Sequence, residues 1–152
     1  KAMAAFLKPD GWFQKNKSTE DAVTYVIAKE DVTKNNYFDT GLTVIAIEDL
    51  HKKSGVVPFL LALAMADEIE KDSDNKVLDI EELSQGPFNS FGVKYENHPA
   101  NMPAIVVHKV FISNDSTGSL YIVNFEAPKD EWDEAWKMGE VMLKKYLIDD
   151  EF

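Results

Sequence analysis

Apolar residues alternate with smaller or polar ones at Val23, Tyr25 and Ile27, and again at Phe91, Val93 and Tyr95. Longer apolar-rich segments run from Ala104 to Ile112 and from Leu120 to Phe125. A period of two is the signature of strands, so each segment is a predicted strand. Leu42–Glu48 is apolar on both faces, with Leu42, Val44 and Ala46 against Ile45 and Ile47. Such a strand is central and covered on both sides, which implies a second layer. Asp10-Gly11 predicts a turn before a short strand entry at Trp12-Phe13, and Lys15 to Asp21 reads as polar and turn-like. Lys29 to Thr40 is a polar loop with an aromatic tip, Tyr37-Phe38.

The period lengthens twice. Ser54 is a good N-cap type for a helix running to about Lys71, apolar all round at first and amphipathic after Asp67-Glu68. Near the C-terminus, apolar residues at 132, 135, 136, 139, 142, 143 and 146 make the stripe of a helix packed on one side. Pro128 suits its first position, the acids at 130, 131, 133 and 134 favour its positive end, and Lys144-Lys145 the other. Between the helices come an acidic turn from Asp72 to Lys76, a short apolar segment to Leu83, and a loop at 97–103. Asn114–Gly118 is rich in turn formers and predicts a hairpin. The order is βββα then βββα. Short connections between consecutive strands predict an α+β domain with a mostly antiparallel sheet, and residues 1–152 read as one domain.

Composition narrows the function. The net charge is −11, and it sits entirely beyond residue 55: the first 55 residues carry eight Lys and eight acids, the rest eight Lys and nineteen acids. No Arg is present. Arg is the usual reader of phosphate and guanine, so an acidic, Arg-free domain is a poor nucleic-acid binder. The absence of Cys excludes disulfides, thiolate nucleophiles and Cys-based metal sites. The longest apolar run, Val56 to Ala66, is too short to span a membrane and contains Pro58.

Three short words then stand out: Pro9-Asp10-Gly11-Trp12, Thr40-Gly41-Leu42-Thr43-Val44, and Tyr121 to Pro128 before the tryptophan-bearing helix. In these words and in element order the chain resembles the PsbP-like superfamily, which includes the Mog-type Ran-binding factors. The resemblance runs from about Pro9 to Ile148. It implies an α/β/α sandwich, an antiparallel sheet between helices. Plant members are luminal subunits assisting photosystem II, and Mog-type members bind a small GTPase. The matching words are framework, so no functional residue carries over.

Asp72 and Asp74, with Asp79 and Glu82, invite a divalent cation. Counted as a calcium loop from Asp72, however, the Gly position is Val77 and the bidentate Glu position is Leu83, so a solvated acidic loop fits better. His51, His98 and His108 lack ligand spacing; His108, inside a strand, reads as packed or edge. His98, in a loop with Asn101 and Met102, is the best placed for contact with a ligand. Glu126, where a strand hands over to a helix, reads as a charge favouring the helix N-terminus. Trp132 and Trp136, one turn apart, read as core anchors. No GxSxG, GxGxxG or Walker pattern occurs, so neither an enzyme nor a cofactor is expected. The leading expectation is a non-enzymatic binding or assembly-accessory protein whose acidic portion meets a protein partner, with Tyr37 and Phe38 as contacts. The alternative is a small-ligand or metal-binding module around His98. The non-Met start and the plant analogy point to an extracytoplasmic location after removal of a targeting segment, with the cytoplasm as the alternative.

Overall fold

The computed structural model describes residues 4–148. A seven-stranded antiparallel sheet forms the middle layer, in the order β2-β3-β4-β8-β7-β6-β5. The strands are β2 (Phe13–Ser18), β3 (Ala22–Ala28), β4 (Gly41–Ile47), β5 (Asn75–Glu82), β6 (Asn89–Asn97), β7 (Ile105–Asn114) and β8 (Ser119–Pro128). Two further strands, β1 (Ala4–Phe6) and β9 (Tyr146–Ile148), pair into a separate ribbon. The α-helices among the described residues are α1 (Leu50–Ser54), α2 (Pro58–Lys71) and α3 (Trp132–Lys144).

The two faces of β4 go to different cores, as their composition predicts. Leu42, Val44 and Ala46 join Tyr121, Val123 and Phe125 under α3, where Trp132 and Met142 are buried. The β1–β9 ribbon packs on this same cluster through Phe6, Tyr146 and Ile148. Ile45 and Ile47 pack against the other cluster, in which Ala62 and Ile69 of α2 meet Val93, Val107, Phe111 and Ile122. The result is the three-layer α/β/α arrangement. Trp132 and Trp136 stack on each other at 5.1 Å and both flank the buried ring of Phe125 at 5.9 Å, so they anchor α3 to the sheet.

Several local expectations need correction. The polar segment after Trp12 is strand β2, exposed at every position, and only its last part turns. The acidic turn is shorter than expected: β5 begins at Asn75, so six strands become seven in the sheet. Ser54 caps no long helix. It ends α1, its hydroxyl donates to the Leu50 carbonyl at 2.9 Å, and Gly55 terminates that turn in the left-handed region. Pro58 then opens α2, where its missing N–H costs nothing. The start of α2 is apolar all round as read, yet it is covered on one side only, leaving Leu60 60% exposed. Pro128 ends β8, and a 3-10 turn at Lys129–Glu131 precedes α3.

Candidate functional site

The strand registers gather most of the sequence-selected residues at one end of the sheet. Ala28 pairs with Gly41, Gly41 with Glu126, Asn97 with both Asn75 and Ile105, and Ile105 with Pro128. The β3–β4 loop, the α2–β5 turn and the β6–β7 loop therefore emerge together. Tyr37, Phe38, Asp72, Asp74, His98, Asn101 and Met102 all belong to these three segments.

Tyr37 and Met102 are 63% and 61% exposed. The Tyr37 hydroxyl donates to the Asp39 carboxylate, and that bond pushes the phenol pKa up. Phe38 turns inward instead: a Cβ on Gly41 would meet its ring at 2.9 Å, so glycine admits the aromatic against the strand. Asn101 takes a left-handed conformation, φ 62°, which asparagine tolerates. His98 Nε2 lies 2.9 Å from Glu96 Oε2, and the Lys129 ammonium reaches the same oxygen at 3.0 Å. Lys129, then His98, hold the Glu96 carboxyl below its usual range.

Asp72 accepts the Asp74 N–H at 2.9 Å, closing the turn on itself. Asp79 pairs across from Lys94 and Glu82 across from Phe91, which places the two on opposite faces of β5. Among the described residues, no group of three His, Asp or Glu side chains is arranged to hold a metal ion.

Below this end, on the face that α2 partly covers, lies a polar strip that the sequence signals only through Glu126. Lys109 of β7 and Asn124 of β8 are directly paired, and Glu126 follows on β8. Burial pushes the Glu126 carboxyl up, against the pull of Lys109; burial pushes the Lys109 ammonium down, against Glu126. Lys109 Nζ sits 6.0 Å from the Tyr95 ring centre, and burial raises the Tyr95 phenol to about 12. Glu126 is thus a desolvated acid beside a lysine, not the helix-end charge that its position suggested. Asn124 Oδ1 is buried without a hydrogen-bond partner among the described residues.

The sheet's other face holds a groove with no sequence signature. A concavity of about 510 Å³ lies between the end of β5 and α3, lined by Glu81, His108, Trp136, Glu140, Lys144 and Tyr146. A second, of about 280 Å³, adjoins it through the shared residues Leu83, Gln85 and Tyr146. His108 is buried and tilted against Trp136 at 4.9 Å, with Nε2 3.4 Å from Glu81 Oε1. Burial lowers its pKa, Glu81 opposing and Lys94 assisting. His108 Nδ1 is buried without a partner among the described residues. Of the two readings of this strand position, packed or edge, the structure shows the packed one, on the inner strand β7. None of the four described cavities is lined by His98, Asn101 or Met102.

No protein-family model matches the sequence, and no curated protein sequence matches it either. Solved structures do. LpqN of Mycobacterium tuberculosis, involved in cell envelope biogenesis, is 15% identical with a TM-score of 0.62. The match covers 97% of this chain and 84% of LpqN. The cyanobacterial PsbP of Synechocystis, CyanoP, is 14% identical with a TM-score of 0.56, covering 96% of this chain and 86% of CyanoP. The fold is therefore PsbP-like across nearly its whole length. No helix among the described residues is long and apolar enough to cross a membrane.

Proposed function

We propose that the protein is a non-enzymatic binding or assembly-accessory domain that engages a protein partner through the loop end of its sheet. The observation that supports this reading best is the joint exposure of Tyr37 and Met102 on two loops that the strand registers bring to one end. Exposed aromatic and methionine side chains are the usual anchors of an interface core, and the same end of the sheet carries a polar cluster in which His98 and Lys129 both meet Glu96. The partner is a neutral or basic protein, because a chain of net charge −11 repels acidic surfaces and steers basic ones. The cell-envelope role of LpqN supports an extracytoplasmic location.

The test is capture of a partner from native extract at low salt by the wild type and by Tyr37→Ala/Met102→Ala. Both side chains lie largely in solvent, so truncation changes stability by less than about 0.5 kcal/mol per site. A binding band retained by wild type and lost by the double variant, at an unchanged denaturation midpoint, is the expected result. Equal recovery by both proteins, or no recovery by either, overturns the proposal.

A further inference from the structure

The seven-stranded sheet has two open edges of opposite charge. β2 forms one and β5 the other, and among the described residues each pairs in the sheet with a single neighbour. Every residue of β2 is exposed, as are most of those in β5. β2 carries Lys15 and Lys17 and no acid, net +2; β5 carries Lys76 against Asp79, Glu81 and Glu82, net −2. Each edge also shows an apolar side chain, Phe13 at 38% and Ile80 at 53% exposure. Long exposed edges are ordinarily protected from pairing by like charge. Here each edge would repel a copy of itself and attract the other.

Direction, face and hydrogen-bond phase all agree with such a pairing. An antiparallel sheet of seven strands runs its first and last strands the same way, so a copy displaced sideways brings β5 alongside β2 in parallel. Phe13 and Lys15 pair with Ala28 and Val26, and Ile80 and Glu82 with Val93 and Phe91. Followed through the intervening registers, these four side chains lie on the same face of the sheet, the one α2 partly covers.

The bond from Thr19 N–H to the Ala22 carbonyl, 2.8 Å, sets the alternation along β2. The backbone groups of Phe13 and Lys15 turn towards β3, and those of Gln14 and Asn16 turn outwards. The bond from Leu83 N–H to the Ser90 carbonyl, also 2.8 Å, sets it along β5: Ile80 and Glu82 present N–H and C=O outwards. A parallel ladder needs an outward residue opposite an inward one. With Ile80 opposite Phe13, Glu82 falls opposite Lys15. Antiparallel pairing would set outward against outward and join opposite faces of the two sheets. The bulge at Val77/Asp79 confines the contact to the C-terminal part of β5.

We propose that the basic β2 edge of one molecule takes the acidic β5 edge of a second copy, continuing the sheet head to tail. The contact is heterologous, so it leaves a free edge at each end and builds open chains of copies instead of a closed dimer. The whole-molecule charge opposes it at long range. At an ionic strength of about 0.15 M the Debye length is about 8 Å, which screens that repulsion more than the contact pairs.

Sedimentation velocity at this ionic strength, with protein up to about 1 mM, tests the proposal. The mass average is expected to climb with concentration without a plateau. Lys15→Glu/Lys17→Glu and, separately, Glu81→Lys/Glu82→Lys each weaken association at least about tenfold by setting like charges together. An equimolar mixture of the two variants restores it, because each then offers edges complementary to the other's; that recovery also shows that both variants are folded. A wild type that stays monomeric throughout, a plateau at dimer, or no recovery in the mixture overturns it.

Discussion

At Gly139 the α3 helix rests directly on the ring of Phe125, and its replacement tests how rigid that packing is. A Cβ there would lie 2.5 Å from both Cδ1 and Cε1 of Phe125, where carbon atoms rest at about 3.5–4.0 Å. The ring has nowhere to go: Phe125 is fully buried, with Trp132 and Trp136 each 5.9 Å from its centre. Either α3 lifts by about an ångström, loosening two tryptophans, or the ring leaves its rotamer. Overpacking of this severity belongs at the upper end of the usual range, about 3 kcal/mol. Alanine returns roughly 1 kcal/mol in helix propensity. Gly139→Ala should therefore lose about 2 kcal/mol, which for a chain of this size lowers the melting midpoint by about 4–8 °C. Calorimetry on Gly139→Ala, Phe125→Leu and the double variant gives the coupling directly. The double variant should be more stable than the sum of the singles, since leucine lacks Cε1 and the rigid ring plane, and its branched end can rotate away from the added methyl. An unchanged or higher midpoint for Gly139→Ala would refute the close-packing argument.

Two further predictions follow from single contacts. Asp115, in the β7–β8 turn, accepts the Phe59 N–H at 3.0 Å and so caps α2 from 56 residues away; Asp115→Ala should cost about 1 kcal/mol and Asp115→Asn less, and equal urea midpoints for all three proteins would contradict the cap. His108 has its folded pKa below its unfolded value, chiefly through burial, so its contribution is fully present above pH 6.5 and is lost as pH falls towards the folded pKa. Wild type should therefore lose stability to His108→Gln as pH drops from 8 to 5, and parallel urea-midpoint curves would show that His108 titrates as it does in the unfolded chain.

What the sequence reveals follows from how strongly burial constrains each segment. β3, β4, β6, β7 and β8 are legible because each packs at least one apolar face, and β4 is legible as central because it packs two. β2 is hidden for the opposite reason: Phe13–Ser18 is exposed throughout, so nothing imposes alternation on its side chains. β5 is disguised by its bulge, which breaks the register between Val77 and Asp79 and spoils the period of two. Ser54 has the chemistry of a cap, but Gly55 and Pro58 decide where helices stop and start. Tyr37 and Phe38 share a loop tip, yet Gly41 draws only Phe38 inwards; that choice depends on a strand position and not on the loop's own composition.

The groove beside α3 was not legible at all, and Gly92 shows why. A Cβ at Gly92 would meet His108 Nε2 at 3.2 Å and Glu81 Cγ at 3.3 Å. Its absence lets an imidazole from β7 and a carboxylate from β5 approach each other across the intervening strand. The residues of the groove thus come from β5, β7, α3 and β9, held together by a space that one glycine leaves open. Sequence spacing encodes neighbours along an element; a missing side chain between two elements has no spacing to read. The same reasoning separates the two faces of the domain. On the α3 face the polar side chains Asp79, Glu81, Lys94, Glu96 and His108 are spread over β5, β6 and β7, whereas on the α2 face Lys109, Asn124 and Glu126 lie side by side across β7 and β8. A domain of this fold can therefore carry different contacts on its two faces, because the central sheet fixes each set of side chains independently.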